Sequence, residues 1–446
     1  MSNPPHQPPT AVVSPALAGP VPLSPEVSAH DRRRAIESSF LGNFVEWFDY
    51  AVYGYLSSVI AQVFFPEDSG RTALVKTFGL FAISFLIRPL GAFVWGHIGD
   101  RYGRKTALSW SIMIMTGATF CIALLPSHAT VGVLAPILLL LLRLIQGFSA
   151  AGEYAGASTL LTEYASNGKR GLFAAVVPAS TASGLLLGSI LATVLTSQLS
   201  EADVNSWGWR LPFLLAGPLG LVGLYIRKHL AETPQFEAAE KEIAHSVPLR
   251  DVLAEPKALV ISLFVALLNA IGFYVILSYL PTYLTDELGQ DRTHAFMAST
   301  IALLAYIGSV LLTGWLSDRV GRRTVMLVSS VAFVCTAIPA FLLLDKVGFV
   351  LLVLIEVFMG LVLALNDGVL PSFLSEQFST KVRFTGFALT FNIANAVFGG
   401  TAPMVATLLI GWTGSKLAPA FYLMLAATIT FVAVLRAAET NKEHLR

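Results

Sequence analysis

The stretch G-H-I-G-D-R-Y-G-R-K-T, residues 96–106, returns as G-W-L-S-D-R-V-G-R-R-T at residues 314–324. Each copy is short, basic and glycine-broken, and each lies between two long apolar runs. A second pair follows. L-T-E-Y-A-S-N-G-K-R-G (161–171) parallels L-S-E-Q-F-S-T-K-V-R-F (374–384), so Glu163…Arg170 and Glu376…Arg383 share one spacing. The chain therefore reads as two related halves.

The composition says what those halves sit in. The 446 residues are 55% hydrophobic and 13% charged, with a mean hydropathy of +0.69. A soluble globular chain carries about 25% charge, so this is a membrane protein. A formal net charge of +1 and the lack of a basic stripe argue against a nucleic-acid partner. Cys121 and Cys335 fall in apolar segments and are expected to be two buried thiols, neither disulfide nor metal pair.

A spanning helix needs about 20 mostly apolar residues. Twelve stretches qualify: 38–64, 75–97, 106–126, 133–158, 171–197, 209–227, 258–284, 294–316, 324–344, 347–374, 384–411 and 417–436. The expected organisation is a disordered cytoplasmic tail over 1–35 and a six-helix bundle over 36–228. A cytoplasmic linker follows over 229–257, then a second bundle over 258–437 and a short tail over 438–446. With both termini inside, inner segments hold 21 of the 29 Lys and Arg residues and outer segments 6. Arg88 and Arg143 lie within spans. That asymmetry sets the orientation, in a bacterial inner or plasma membrane.

The duplicated loops fall after spans 2 and 8, and after spans 4 and 10. Transporters commonly carry such repeats, with the substrate path between them. Asp100 and Asp318 sit beside basic clusters and can pair with arginines or with a helix N-terminus of the other half. The expected latch comprises Asp100, Arg101, Arg104, Glu163, Arg170, Asp318, Arg319, Arg322, Glu376 and Arg383.

Few acids fall inside spans: Glu46, Asp49, Glu153, Glu356 and Asp367. Each buried charge costs at least about 2.5–3.5 kcal/mol, so a paired or functional role is the default. Helical spacing puts Asn43, Glu46, Asp49, Tyr50, Tyr53 and Ser57 on one face of span 1. Asp49 lies roughly 16 Å from the inner end, near mid-depth. Arg143 in span 4 and Arg88 in span 2 lie at similar depths. An arginine keeps its charge while a carboxylate can take up a proton. The expected proton-coupling set is Glu46, Asp49, Arg88 and Arg143, with Glu153 as an inner gate or second protonation site.

Aromatic and polar residues on the inward-facing spans form the expected substrate site. Span 1 supplies Trp47, Tyr50 and Tyr53. Arg88, Arg143 and Gln146 come from spans 2 and 4, Asn269, Phe273 and Tyr274 from span 7, and Asn392 and Asn395 from span 11. An aromatic cage attracts a quaternary ammonium, and an arginine suits the carboxylate of the same zwitterion. Two arginines would equally serve an organic acid. No G-x-x-x-x-G-K-[ST] occurs, no metal-ligand cluster or nucleophile–base pair stands out, and neither an enzyme nor a cofactor is expected.

The G-x-x-x-D-R-x-G-R-[RK] loops resemble the signature of the major facilitator superfamily. Arg143 to Gly147, R-L-I-Q-G, resembles its span-4 motif, which the family associates with proton coupling. G-N-F-V-E-W-F-D-Y (42–50), F-L-I-R-P-L-G (85–91), Q-G-F-S-A-A-G-E-Y-A-G-A-S (146–158), W-G-W-R-L-P-F (207–213) and E-T-P-Q-F (232–236) resemble its metabolite:proton symporter branch. That resemblance, over roughly residues 35–437, implies twelve transmembrane helices in two pseudo-symmetric six-helix bundles. It also implies symport of a small metabolite with a proton. Carriers of proline/betaine, citrate, 2-oxoglutarate and shikimate belong to the branch. The first is the expected type and an organic acid such as citrate or 2-oxoglutarate the alternative. A monomer in the bilayer is expected to suffice. Some betaine carriers bear a long C-terminal coiled coil; about ten residues follow span 12 here, so regulation through such a tail is not expected.

Overall fold

A computed structural model describes residues 28–68, 70–166, 168–229, 248–345 and 347–443, with Glu232, Phe236 and Leu445. Among these residues there is helix and no strand. Eleven helices are long and apolar enough to cross a membrane. They are α2 (Lys76–Tyr102), α3 (Arg104–Ala123), α4 (Leu134–Tyr164), α5 (Arg170–Gln198), α6 (Glu201–Lys228), α7 (Pro256–Glu287), α8 (Thr293–Val320), α9 (Arg322–Leu343), α10 (Phe349–Gln377), α11 (Arg383–Thr413) and α12 (Ala418–Arg436). The twelfth is α1 (Ala29–Tyr55), followed by a turn at Leu56 and a short helix Ser57–Phe64. Its polar stripe and charged first turns make it the least apolar, and it is buried against α5 and α6. The structure is thus an all-α membrane protein with six helices in each half.

The pairings repeat between halves. α1 packs on α5 and α3 on α6; correspondingly α9 packs on α12, and α7 lies against α11 and α12. The halves meet through α2 against α11 and α5 against α8, which are equivalent contacts under the repeat.

Several boundaries differ from the hydropathy reading. α1 starts at Ala29, where the Ser28 hydroxyl accepts from the Asp31 amide at 3.1 Å. Residues 29–35 are therefore helix rather than tail, because this cap satisfies an otherwise orphan donor. The rest of the expected tail lies outside the described residues, as does most of the linker, although Pro248–Leu253 forms a short helix. At the end bearing the duplicated loops, here the basic end, α2, α4 and α8 run several residues past their apolar runs. Their last turns are paired in the ion network described below. Residues 439–443 fold back onto this end instead of trailing free. Cys121 and Cys335 are exposed on the outer faces of α3 and α9. The expectation of buried thiols is corrected: an apolar helix in a bilayer also turns apolar residues outward.

Helix breaks position functional side chains. α2 breaks at Ile87 ahead of Pro89, placing Arg88 at the break. α10 breaks at Gly368–Val369 ahead of Pro371, immediately after Asp367. Proline cannot donate to the preceding turn, so each break has a covalent cause. π-helical segments interrupt α7 over Phe273–Tyr279 and α11 over Asn395–Gly399.

Candidate functional site

The polar face of α1 meets α2, α4 and α5. Arg88 donates to Glu46 at 2.8 Å and Arg143 donates to Asp49 at 3.0 Å; all four side chains are buried. Gln146, one turn along α4, accepts from Arg143 at 2.8 Å and donates to Thr119 at 2.7 Å. Tyr50 bridges the two pairs, its ring 4.7 Å from the Arg88 guanidinium and 5.1 Å from that of Arg143. Tyr53 lies 4.0 Å from Arg143. Each pair makes a single N–O contact, leaving Glu46 Oε2, Asp49 Oδ1 and Arg143 Nη2 without a hydrogen-bond partner among the described residues. Buried single contacts of this kind can be exchanged for another donor, or for a proton, more readily than a bidentate pair.

Glu153 pairs with Arg227 of α6, which also donates to the Leu108 carbonyl at 2.6 Å. Both partners belong to the first half. Glu153, expected as an inner gate or second protonation site, ties α4 to α6 through this pair. Arg227 was not foreseen, since it reads as an ordinary inner-loop cation.

At the basic end the two repeats interlock. Asp100 accepts from the backbone N–H groups of Phe384 and Thr385 at 3.1 and 2.7 Å, at the start of α11. Asp318 accepts from Gly171 and Leu172 at 2.8 and 3.0 Å, at the start of α5. Each aspartate thus caps a helix of the opposite half, where exposed N–H groups and the helix dipole favour an anion. Glu163 accepts from Arg383 at 2.7 Å and Arg104 at 3.2 Å. Glu376 lies 3.1 Å from both Arg170 and Arg322. Arg101 and Arg319 stand apart from this network. Both are exposed, and Arg319 stacks on Trp315 at 3.8 Å. The helical turn that buries the aspartate points the next residue outward.

Two further glutamates complete the arrangement. Glu232 accepts from the Arg104 amide at 3.0 Å, and Glu439 from the Arg322 and Arg323 amides at 2.9 and 3.0 Å. Each caps the helix that starts after Gly103 or Gly321, whose φ angles of +102° and +101° suit glycine. The signal was present as A-E-T at 231–233 and again at 438–440.

Between the halves, toward the middle of the bundle, lies a small cavity. The first half contributes Trp47, Tyr154, Pro178 and Thr181. The second contributes Asn269, Phe273, Tyr306, Phe391 and Asn395. Tyr154 stacks on Phe391 with centroids 4.2 Å apart, and Trp47 meets Phe273 edge-on at 5.2 Å. The Trp47 indole N–H is buried without a hydrogen-bond partner among the described residues. Tyr274 packs beside Trp47 and Phe85 rather than on the cavity wall. Asn392 is committed elsewhere, donating to the Ala151 and Ala388 carbonyls at 2.8 Å. Tyr53, which donates to the Thr77 carbonyl at 3.0 Å, and Gln146 belong to the ion-pair region. Of the expected substrate set, Trp47, Asn269, Phe273 and Asn395 line the cavity. Tyr154, Pro178, Thr181, Tyr306 and Phe391 were missed, because single residues in apolar helices carry no mark of which face they occupy.

The Major Facilitator Superfamily matches over residues 40–399 and 263–445. The glycine betaine/proline/ectoine/pipecolic acid transporter OusA of Dickeya dadantii (strain 3937) is 35% identical over 427 residues, covering 93% of this chain and 85% of that protein. A protein described as a putative proline/betaine transporter of Staphylococcus aureus (strain MSSA476) is 38% identical over 416 residues, covering 92% and 88%. In three dimensions the proton:xylose symporter XylE, bound to 6-bromo-6-deoxy-D-glucose, superposes with a TM-score of 0.78. It covers 94% of this chain and 98% of its own at 16% identity, a likeness of fold. The chain belongs to the major facilitator superfamily and is a multi-pass membrane transporter, not an enzyme.

Proposed function

We propose that this protein is a proton-coupled symporter that imports a small zwitterion of the betaine or proline type by alternating access. The observation that carries the reading is the aromatic cavity between the halves. Trp47, Tyr154, Phe273, Tyr306 and Phe391 surround it, closed down in this structure to the room of about one water, and a quaternary or secondary ammonium is attracted to such ring faces once the cavity widens. The unpartnered Trp47 N–H supplies a donor for the carboxylate of the same ligand. The names borne by the relatives support the same substrate class. An organic di- or tricarboxylate would need uncompensated cations here, whereas Arg88 and Arg143 already face Glu46 and Asp49.

The basic end is the cytoplasmic end by the positive-inside rule, which places both termini inside. The interlocked aspartates and glutamates hold that end shut, so substrate and proton enter from outside. Glu46 and Asp49 act as the proton sites, with Arg88 and Arg143 as fixed counter-charges. Protonating either acid releases its arginine and reshapes the floor around Tyr50 and Trp47. That links proton uptake to the cavity. When the cytoplasmic contacts open, the proton and substrate leave together.

Uptake of labelled glycine betaine into proteoliposomes tests the reading. An imposed inward proton gradient should drive accumulation that a protonophore abolishes. Accumulation indifferent to the protonophore would reject proton coupling, and uptake of citrate but not betaine would reject the substrate class.

A further inference from the structure

The membrane-embedded acids fall into two classes. In the first half each one faces an arginine: Glu46 with Arg88, Asp49 with Arg143, Glu153 with Arg227. In the second half Glu356 and Asp367 face only neutral donors among the described residues. Glu356 accepts from Ser299 at 2.6 Å. Asp367 accepts from the Tyr306 hydroxyl at 2.7 Å and from Asn366 at 3.2 Å, and is fully buried. The described arginines of this half sit at helix ends, with Arg319, Arg322, Arg383 and Arg436 at the basic end. A charge on Asp367 can therefore be balanced only by a proton or by a cation that arrives.

Asp367 stands where such a cation would come to rest. Its donor Tyr306 lines the cavity, and so does Asn269, which faces the same carboxylate. The stacked rings of Tyr154 and Phe391 line the same cavity. Trp47 also lines it, and Arg88, paired with Glu46, lies 6.0 Å from its ring. The cavity is thus backed near Trp47 by the neutralised Arg88–Glu46 pair and near Tyr306 by an acid that meets only neutral donors among the described residues. In a dry, low-dielectric space the attraction of Asp367 for a cation is felt through one intervening hydroxyl.

Resting on the zwitterion reading above, we propose that Asp367 is the specificity-determining counter-charge for the ammonium group of the substrate. The ligand lies with its cationic end toward Tyr306 and Phe391 and its carboxylate toward Trp47. Glu356, equally buried but away from the cavity, has no part in binding.

Glycine betaine and 3,3-dimethylbutanoate are a matched pair of probes. They share shape and carboxylate and differ in a charged nitrogen against a neutral carbon. Calorimetry on the purified full chain should show the wild type preferring betaine. D367N should lose that preference, with betaine affinity falling about tenfold or more, while 3,3-dimethylbutanoate binding is unchanged. D367E should restore the preference, and E356Q should retain it. D367S asks the same question if D367N does not fold. Retention of the wild-type preference in a folded neutral variant would overturn the inference and leave the zwitterion reading standing. Failure of the wild type to bind betaine or proline would overturn both.

Discussion

Glu163 of α4 and Arg383 of α11 meet at 2.7 Å across the two halves. Glu376 and Arg170 repeat the contact at 3.1 Å with the halves exchanged. Buried charges so arranged are costly to separate, and removing one partner of a buried pair typically costs about 3–5 kcal/mol. Because two equivalent pairs share the basic end, weakening one should shift the balance of states without unfolding the protein. Spin labels at Tyr102 and Lys381, both exposed and in different halves, would report that end by double electron–electron resonance. E163Q is expected to add a longer distance to the wild-type distribution, and E163Q with E376Q to make it dominant. An unchanged distribution in the double variant would remove these pairs from the gating.

Asp49 and Arg143 should behave asymmetrically. D49N leaves Arg143 buried without a counter-charge, so stability is expected to fall by about 3–5 kcal/mol. Uptake driven by a proton gradient should vanish, while exchange of labelled for unlabelled substrate continues. R143Q leaves a carboxylate that can be neutralised by a proton, so it should unfold at a higher temperature than D49N. Thermal unfolding and paired uptake and exchange assays separate these outcomes. Full gradient-driven accumulation by D49N would take Asp49 out of the mechanism.

The cage should respond to ring faces rather than hydroxyls. Phe391→Leu keeps apolar volume but removes the face that stacks on Tyr154, and is expected to weaken betaine binding about fivefold or more. Tyr154→Phe keeps the ring and should bind within about twofold of wild type, since a cation–π contact does not use the hydroxyl. Calorimetric titration of both variants checks this, and the opposite ranking would argue for hydrogen-bond recognition.

Cys121 and Cys335 face outward from α3 and α9. In native membranes a lipid-soluble maleimide should label both, and a charged sulfonate reagent should label neither. Labelling by the charged reagent would place those faces in water.

Much of this was legible because charge is rare in the chain. Glu46, Asp49, Arg88 and Arg143 were the few ionised groups within apolar runs, so their pairing followed from depth and cost. The duplicated loops likewise marked the end at which the two halves interlock. Where apolar residues had to be sorted by face, the sequence was silent. Tyr306 and Phe391 look like any other aromatic in a span, and Cys121 and Cys335 like any buried thiol. Glu153 gave no sign of its partner for a different reason. Its partner Arg227 lies 74 residues away at a helix end, and pairing that distant needs the packed structure. Asp367 was recognised as embedded, but its neutral surroundings depend on which neighbours α8 and α10 present to it.

The proposed mechanism requires that one zwitterion and protons cross together. It is tested most directly by loading proteoliposomes with a pH-sensitive dye and adding glycine betaine outside, with no pH gradient imposed. Acidification of the lumen should depend on betaine, be absent with D49N and not be produced by citrate. Betaine entry without any change in luminal pH would contradict it.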